Sequence, residues 1–522
     1  MTKNFTKLVP RIILITNLVF LVFLRLPSLF EPAWYGDEGI YATIAQQLNK
    51  DQLLYRDIWD HKPPGLYMIY TLSDLFPNVS TGNLINNIFV YKLINILTGV
   101  ISIILVFKLS KLLFPQVKNN KHNIIIFVIT LLSTIGIGST IWEGNIFNAE
   151  NVFIPISLFA IYYYLSNDPK TQITLKTTFI VGLIFGFALF IKIHPLFSAL
   201  TILWLICLKI TKGIPQINLR LIKKLVIFFL VFLLGLLLPM IISYGYYLIM
   251  GAGKDFIFAV WSYNFKYSSD YEPAGMGFVL LRDTIIRRLL FVSFTILVMT
   301  YLWFKEKITY RTLFIFSWAV MTFFAVKLSS RVYLHYFLQL VVPLSLLIGL
   351  AISQIIYEKN KYQMLLKASH IILFIYLLLN LGFDGKALKP GYIKPKKYYT
   401  NGYSYMFNPS HKEEWYKVFN NNATDYKMLS ELLEEYKNEK IFVWGSKPWL
   451  YYLLEADTVS KYIVHFHVSD PKQLAKEINN NDTQLIVIDQ TRESSKTEAF
   501  IAEIEKIYTK KEVNLRYSIY IK

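Results

Sequence analysis

Long blocks of uncharged, apolar residues recur from the N-terminus to about residue 384 and then stop. A spanning helix needs roughly 20 such residues. Candidate spans lie near 10–28, 87–108, 123–142, 150–166, 177–193, 195–211, 222–248, 284–304, 311–327, 332–355 and 366–384. That makes about eleven, with the two runs flanking His194-Pro195 open to a different count. No run alternates as a barrel strand would, and lipid leaves no backbone group unpaired, so the spans are helices. Beyond them the chain turns polar, as in ELLEEYKNEK and PKQLAKEINNND. The expected fold class is a polytopic α-helical membrane protein with a small C-terminal α/β domain. The 54% hydrophobic content, against about 45–50% in soluble chains, agrees with that.

The net charge of +19 is explained by topology rather than by nucleic acid. With the N-terminus inside, the inner loops carry Lys108, Lys111, Lys118 and Lys121, then Lys170 and Lys176, then Lys209, Lys212, Arg220, Lys223 and Lys224. Lys305, Lys307 and Arg311 follow, and finally Lys359, Lys361 and Lys367. This is the positive-inside pattern. The exception is the outer segment 249–283, with Lys254, Lys266 and Arg282, followed by Arg287 and Arg288. Either a boundary is misplaced there or those cations serve an anionic ligand. An odd number of spans puts the C-terminal domain outside the plasma membrane. The first run follows Lys3, Lys7 and Arg11 but lacks a small-residue cleavage site, so it reads as a retained span. A single cysteine, Cys207, excludes an internal disulfide framework.

In this topology the chemically rich segments share the outer side. GDEGIYATIAQQLNKDQLLYRDIWDHKPPG, residues 36–65, follows the first span. Ile40, Ile44 and Leu48 fall on one helical face, which suits a short amphipathic helix on the membrane surface. Asp37 begins it and serves either as an N-cap or as a reactive carboxylate. Lys62 precedes Pro63-Pro64, which biases it toward extended backbone on a stiff turn. A cation held there suits a lipid-linked phosphate, the bland alternative being a snorkelling lysine.

Glu143 and Glu150 bracket EGNIFNAE, and Lys192 and His194 stand at a break before Pro195. Ionisable residues at membrane depth are functional or paired, though lysines at helix ends can snorkel. Arg331, His335 and Gln339 are spaced to share one face of the tenth span. They form either a polar seam between helices or a phosphate site built on the arginine fork. There is no glycine-rich phosphate loop, no HExxH and no nucleophile elbow.

Taken together, Asp37-Glu38 after the first span, the Lys-Pro-Pro turn, Asn-Ala-Glu opening a span and HYFLQLVVPLSLLIG resemble bacterial GT-C glycosyltransferases. The pattern is most similar to the RgtA/B/C/D-like group, related to protein O-mannosyltransferases and lipid A aminoarabinose transferases. It covers about residues 10–384, and WGSKPWLYYLLEADTVSKYIVHF looks like the family's outer domain. The resemblance implies inverting transfer of a sugar from a polyprenyl-phosphate carrier to a lipid, polysaccharide or protein acceptor at the outer face. In that scheme Asp37 is the catalytic carboxylate, and Glu38 and Glu150 support it or contact the acceptor. Lys62 with Arg331 and His335 neutralises the departing phosphate, and His61, Lys192 and His194 are possible additions. The related aminoarabinose transferases carry an acid immediately before this lysine, where His61 stands here. His61 with Asp57 or Asp60 could bind a metal, but no cofactor or metal is assigned.

The chain is expected to divide into a transmembrane domain (1–384), a linker or cap (385–426) and an extracytoplasmic α/β domain (427–522). In the last, helical YKMLSELLEEYKNE, KPWLYYLLEA, PKQLAKEINN and KTEAFIAEIEKIY alternate with apolar IFVWG, QLIVID and EVNLRYSIYIK. Trp444, Trp449, Tyr451 and Tyr452 could stack on sugars, but their spacing suits core packing better. The rival class is a transporter or flippase for an envelope glycolipid. Transporters favour internal repeats and midplane sites, whereas the charges here cluster at outer span ends.

Overall fold

The computed structural model describes residues 2–75, 86–114, 121–167, 173–212, 218–269, 285–328, 333–357, 360–382, 393–492, 495–512, 514 and 516–522. Each of the eleven apolar runs forms a helix: Thr2–Arg25, Asn86–Leu113, Lys121–Gly138, Ala149–Ser166, Leu175–Leu189, Pro195–Lys212, Leu219–Ile249, Ile285–Phe304, Tyr310–Val326, Leu338–Tyr357 and Lys361–Gly382. Among the described residues, six helices are long and apolar enough to cross a membrane, by length and composition. Leu230, Leu234 and Ile242 are exposed on one of these, Leu219–Ile249, and Leu290, Phe294 and Leu297 on the shorter apolar helix Ile285–Phe304. Such faces suit lipid, because a water-soluble chain rarely leaves so much contiguous apolar surface uncovered.

The chain forms two compact units, and neither is continuous in sequence. The first gathers Met1–Leu26, Leu93–Ser243 and Phe265–Pro395. Its helices approach closely where they carry glycine. A Cβ on Gly182 would lie 2.4 Å from the Phe232 carbonyl oxygen, and one on Gly235 would lie 2.4 Å from that of Phe179. Small residues let backbones meet in this way where no water is available to drive association. Arg25, at the end of the first helix, is fully buried. It donates to the Asn95 carbonyl, to the Ile137 carbonyl (2.8 Å) and to Asn151 Oδ1 (2.7 Å).

The second unit gathers Pro27–Lys92, Tyr244–Asn264 and Lys396–Lys522. The acidic stretch after the first span therefore packs with the C-terminal part of the chain. Residues 395–426, expected as a linker or cap, form helices Pro395–Phe407, Lys412–Tyr416 and the start of Asn420–Leu432. Strands β1 (Lys440–Trp444), β2 (Asp457–Thr458), β3 (Leu485–Asp489), β4 (Thr509–Glu512) and β5 (Tyr517–Ile521) make one sheet in the order β2-β1-β3-β5-β4. β1 pairs in parallel with β2 and β3, and β5 runs antiparallel to β3 and β4. The buried run Leu485–Asp489 fits a central strand covered on both faces. Trp444 stacks on Phe500 in the core, and Trp449, Tyr451 and Tyr452 are buried, so these aromatics pack as the spacing suggested.

Candidate functional site

The Gly36–Leu48 helix departs from expectation in two ways. Its N-cap position is Tyr35, and Asp37 lies inside the first turn, so Asp37 is not the cap. A carboxylate there is still favoured by the helix dipole. The helix is also buried nearly all round, including Ile40, Tyr41, Ala42, Thr43, Ile44 and Ala45, so it is not an amphipathic helix lying on a surface. The residues that wrap it lie some 400 positions later. Thr43 Oγ1 donates to the Pro448 carbonyl (2.9 Å), Gln47 Nε2 to that of Ala456 (2.9 Å) and Trp449 Nε1 to that of Tyr35 (2.8 Å). Gly39 makes room, because a Cβ there would sit 2.7 Å from the Trp449 ring.

Adjacent residues Asp37 and Glu38 have different surroundings. Glu38 is buried and bound at both oxygens by Lys92 Nζ, at 2.8 and 2.9 Å. The same ammonium reaches Glu31 Oε2 at 2.9 Å, and Glu31 also accepts from Tyr398 OH (2.5 Å) and Trp34 Nε1 (3.0 Å). Glu38 is therefore engaged in an ion-pair network with Lys92 and Glu31. Asp37 is half-buried and accepts from Tyr41 OH at 3.3 Å. The ring of that same Tyr41 carries Lys62 Nζ 4.9 Å above its centre. Tyr41 thus brings the expected carboxylate and the expected phosphate-binding cation to one place.

The Lys62 turn is held from several sides. Tyr55 OH donates to the Lys62 carbonyl (2.8 Å), and Asn264 Nδ2 donates to the His61 carbonyl (2.7 Å). Pro64 starts the short Gly65–Thr71 helix. Asp57 faces away, accepting from Arg56 and from the Leu53 amide. Asp60 faces inward and is fully buried. It accepts from the His61 amide (2.7 Å) and Tyr67 OH (2.7 Å), and Lys62 Nζ lies 3.5 Å away. Burial would raise the Asp60 carboxyl, but Lys62 and His61 overcome it and hold it well below the usual carboxylate range.

In the first unit, other expected residues pair with each other. Glu150 accepts from Lys192 Nζ at 2.5 Å, and that ammonium lies 4.3 Å from the Tyr336 ring centre. Tyr336 also packs on His194, 5.1 Å between rings. His335 Nδ1 lies 2.8 Å from Glu143 Oε2. His335 belongs to a 3-10 turn, Leu334–Phe337, while Gln339 is in the following α-helix. The α-helical spacing that put them on one face is broken there, because a 3-10 turn advances three residues per turn. Arg331 and Arg282 lie outside the described residues. Arg288, one of the cations that follow the exceptional outer segment, is buried and donates to the Lys327 carbonyl.

Several residues of this architecture carry little sequence signal. Lys92 had one, a lone cation inside NIFVYKLINIL. Glu31, Tyr398 and His467 had none, since their roles depend on partners far away in sequence.

No protein family and no curated protein matches the chain by sequence. A solved structure does match: ArnT from Cupriavidus metallidurans bound to undecaprenyl phosphate, at a TM-score of 0.53 and 13% identity over 96% of each chain. The likeness is one of fold. It agrees with the expected GT-C-type helical membrane architecture.

Proposed function

We propose that the chain is an inverting membrane glycosyltransferase of the GT-C type. It takes a sugar from a polyprenyl-phosphate carrier and moves it to a hydroxyl acceptor at the outer face of the plasma membrane. The observation that carries this reading is the convergence of Asp37 and Lys62 on Tyr41, in a chain whose fold matches a protein solved with undecaprenyl phosphate. In this reading the N-terminus is cytoplasmic and the second unit is extracytoplasmic. The placement among RgtA/B/C/D-like enzymes, the sugar and the acceptor class belong to the same proposal.

Asp37 accepts the acceptor's hydroxyl proton as the oxygen attacks the anomeric carbon. The bond from that carbon to the carrier phosphate breaks, and the phosphate keeps the electron pair. Attack opposite the leaving group inverts the centre. Lys62 meets the negative charge that grows on the phosphate. Fixed cations placed where charge develops form one of the largest catalytic contributions available. Tyr41 keeps the two groups in register, one through its hydroxyl and the other through its ring face. Glu38 fixes the helix turn that carries Asp37. Glu150 stays with Lys192, and His335 with Glu143, as walls of the first unit.

The test is incubation of the purified full chain, in lipid, with a panel of polyprenyl-phosphate sugars, reading transfer to added acceptors or slow hydrolysis to free sugar. Release of sugar and carrier phosphate supports the reading. Movement of the intact glycolipid across the bilayer with no bond cleavage would replace it with a flippase.

A further inference from the structure

Trp449 touches the Gly36–Leu48 helix on both sides of Asp37. Its indole Nε1 donates to the Tyr35 carbonyl (2.8 Å), just before the carboxylate in sequence. That carbonyl also opens the helix ladder, accepting from the Gly39 amide at 3.1 Å. Just after Asp37, the edge of the same indole lies against Gly39, where a Cβ would meet Trp449 Cδ1 at 2.7 Å and Cγ at 2.9 Å. Tyr35 makes no side-chain cap hydrogen bond, so the helix's own N-cap side chain does not fix this turn. Trp449 is 1% exposed, and the loop that carries it is braced in turn. Lys447 is buried and donates to Asn422 Oδ1 (3.0 Å) and Asp425 Oδ2 (3.2 Å), and Asp425 also accepts from Tyr517 OH (2.6 Å) at the start of β5.

A buried indole N–H needs an acceptor. Core packing alone does not explain why that acceptor is the carbonyl that starts the Asp37 turn, nor why a glycine lies under the ring at the other end of the turn. We infer that Trp449 is a positioning residue for Asp37, fixing the first turn of the helix at residues 35 and 39 so that the carboxylate meets the acceptor hydroxyl. The inference rests on the proposed role of Asp37 as general base. Thr43, Gln47 and Lys50 tie the later turns to Pro448, Ala456 and Asp457, and Lys92 holds Glu38. The helix therefore stays docked when the indole N–H is removed, and what shifts is the placement of residues 35–39. A displacement of about 1 Å at a reacting group costs on the order of a hundredfold in rate, so the loss of one of the two contacts is read in turnover.

The experiment uses the full chain in lipid with a polyprenyl-phosphate sugar that the wild type turns over, measuring kcat, donor KM and the unfolding midpoint. Trp449→Phe keeps an aromatic ring and deletes the N–H. Its kcat should fall by about tenfold with donor KM within about twofold of wild type, because the Lys62 turn is untouched. Added to Asp37→Asn, Trp449→Phe should cause no further loss, since a positioning residue acts only through the group it positions. Gln46→Ala, which deletes a bond to the Tyr452 carbonyl on the same interface, should keep wild-type kcat. Wild-type kcat in folded Trp449→Phe overturns the inference, and so does an equal tenfold loss on the Asp37→Asn background. Where Trp449→Phe fails to fold, Gly39→Ala displaces the same turn from the helix side and should show the same kcat loss and the same dependence on Asp37; wild-type kcat there overturns the inference. A wild-type chain that cleaves no polyprenyl-phosphate sugar removes the functional reading and this inference with it, whereas an active wild type with unaffected variants removes this inference alone.

Discussion

Lys92 offers the sharpest perturbation of the second unit. Its ammonium is 1% exposed and makes three contacts of 2.8–2.9 Å, to Glu31, 0% exposed, and to Glu38, 4% exposed. Lys92→Met preserves length and apolar volume and removes only the charge. Two buried carboxylates then lose the Lys92 cation, and removing one partner of such a pair costs about 3–5 kcal/mol. For a body of this size that corresponds to a fall in unfolding midpoint on the order of 6–20 °C, at about 2–4 °C per kcal/mol. The assay is tryptophan-fluorescence melting of the purified chain in one detergent. Trp34 and Trp449 are both buried against this part of the unit and should report it. Adding Glu31→Gln and Glu38→Gln to Lys92→Met removes the stranded charges and should restore at least half of the loss. A Lys92→Met stability within about 1 kcal/mol of wild type would refute the assignment of Lys92 as the counter-ion of Glu31 and Glu38 in the interior.

Other outcomes follow from the same geometry. Glu38→Gln should lower stability while keeping turnover within about tenfold of wild type, because Glu38 positions rather than reacts; a total loss of turnover in a folded variant would return it to the chemistry. Lys62→Ala should depress turnover on the order of a hundredfold by removing charge stabilisation at the phosphate, and unchanged kinetics with the lipid-phosphate donor would remove it from that role. Gly182→Ala should cost about 1–3 kcal/mol, since its Cβ would meet the Phe232 carbonyl at 2.4 Å, whereas Gly245→Ala, with nothing within 4 Å, should be neutral in the same melting assay. Burial pushes Tyr416 up to about 12, above the usual value near 10. Its contribution to stability is therefore complete below about pH 10 and is lost as the pH rises through 12; Tyr416→Phe should flatten the alkaline unfolding curve, and an unaltered curve would refute the assignment.

The helical runs were legible because a bilayer demands about 20 apolar residues in succession, and each run from 10–28 to 366–384 holds a helix among its described residues. The three main strands were legible for a similar reason: IFVWG, LIVID and YSIYI are short apolar runs bounded by polar ones. What failed depended on contacts distant in sequence. The Gly36–Leu48 helix reads as amphipathic on its own, yet Pro448, Trp449 and Ala456 cover the side that periodicity left to solvent. Asp37 and Glu38 are indistinguishable in a string, and only Lys92, 54 residues on, separates them. His335 and Gln339 share a face only in an unbroken α-helix, and the 3-10 turn at Leu334–Phe337 interrupts that period. Asp37 and Lys62 stand out in the string as charged residues at the start of a helix and before two prolines, whereas Tyr41, which contacts both, carries no such mark.

The central claim is that Asp37 is the carboxylate that activates the acceptor. Its most direct test is turnover of a polyprenyl-phosphate sugar by Asp37→Asn in lipid, measured alongside the unfolding midpoint. Turnover should fall by at least about a hundredfold, as expected for loss of a general base, while the midpoint stays at the wild-type value. Wild-type turnover in the folded Asp37→Asn chain would contradict the account.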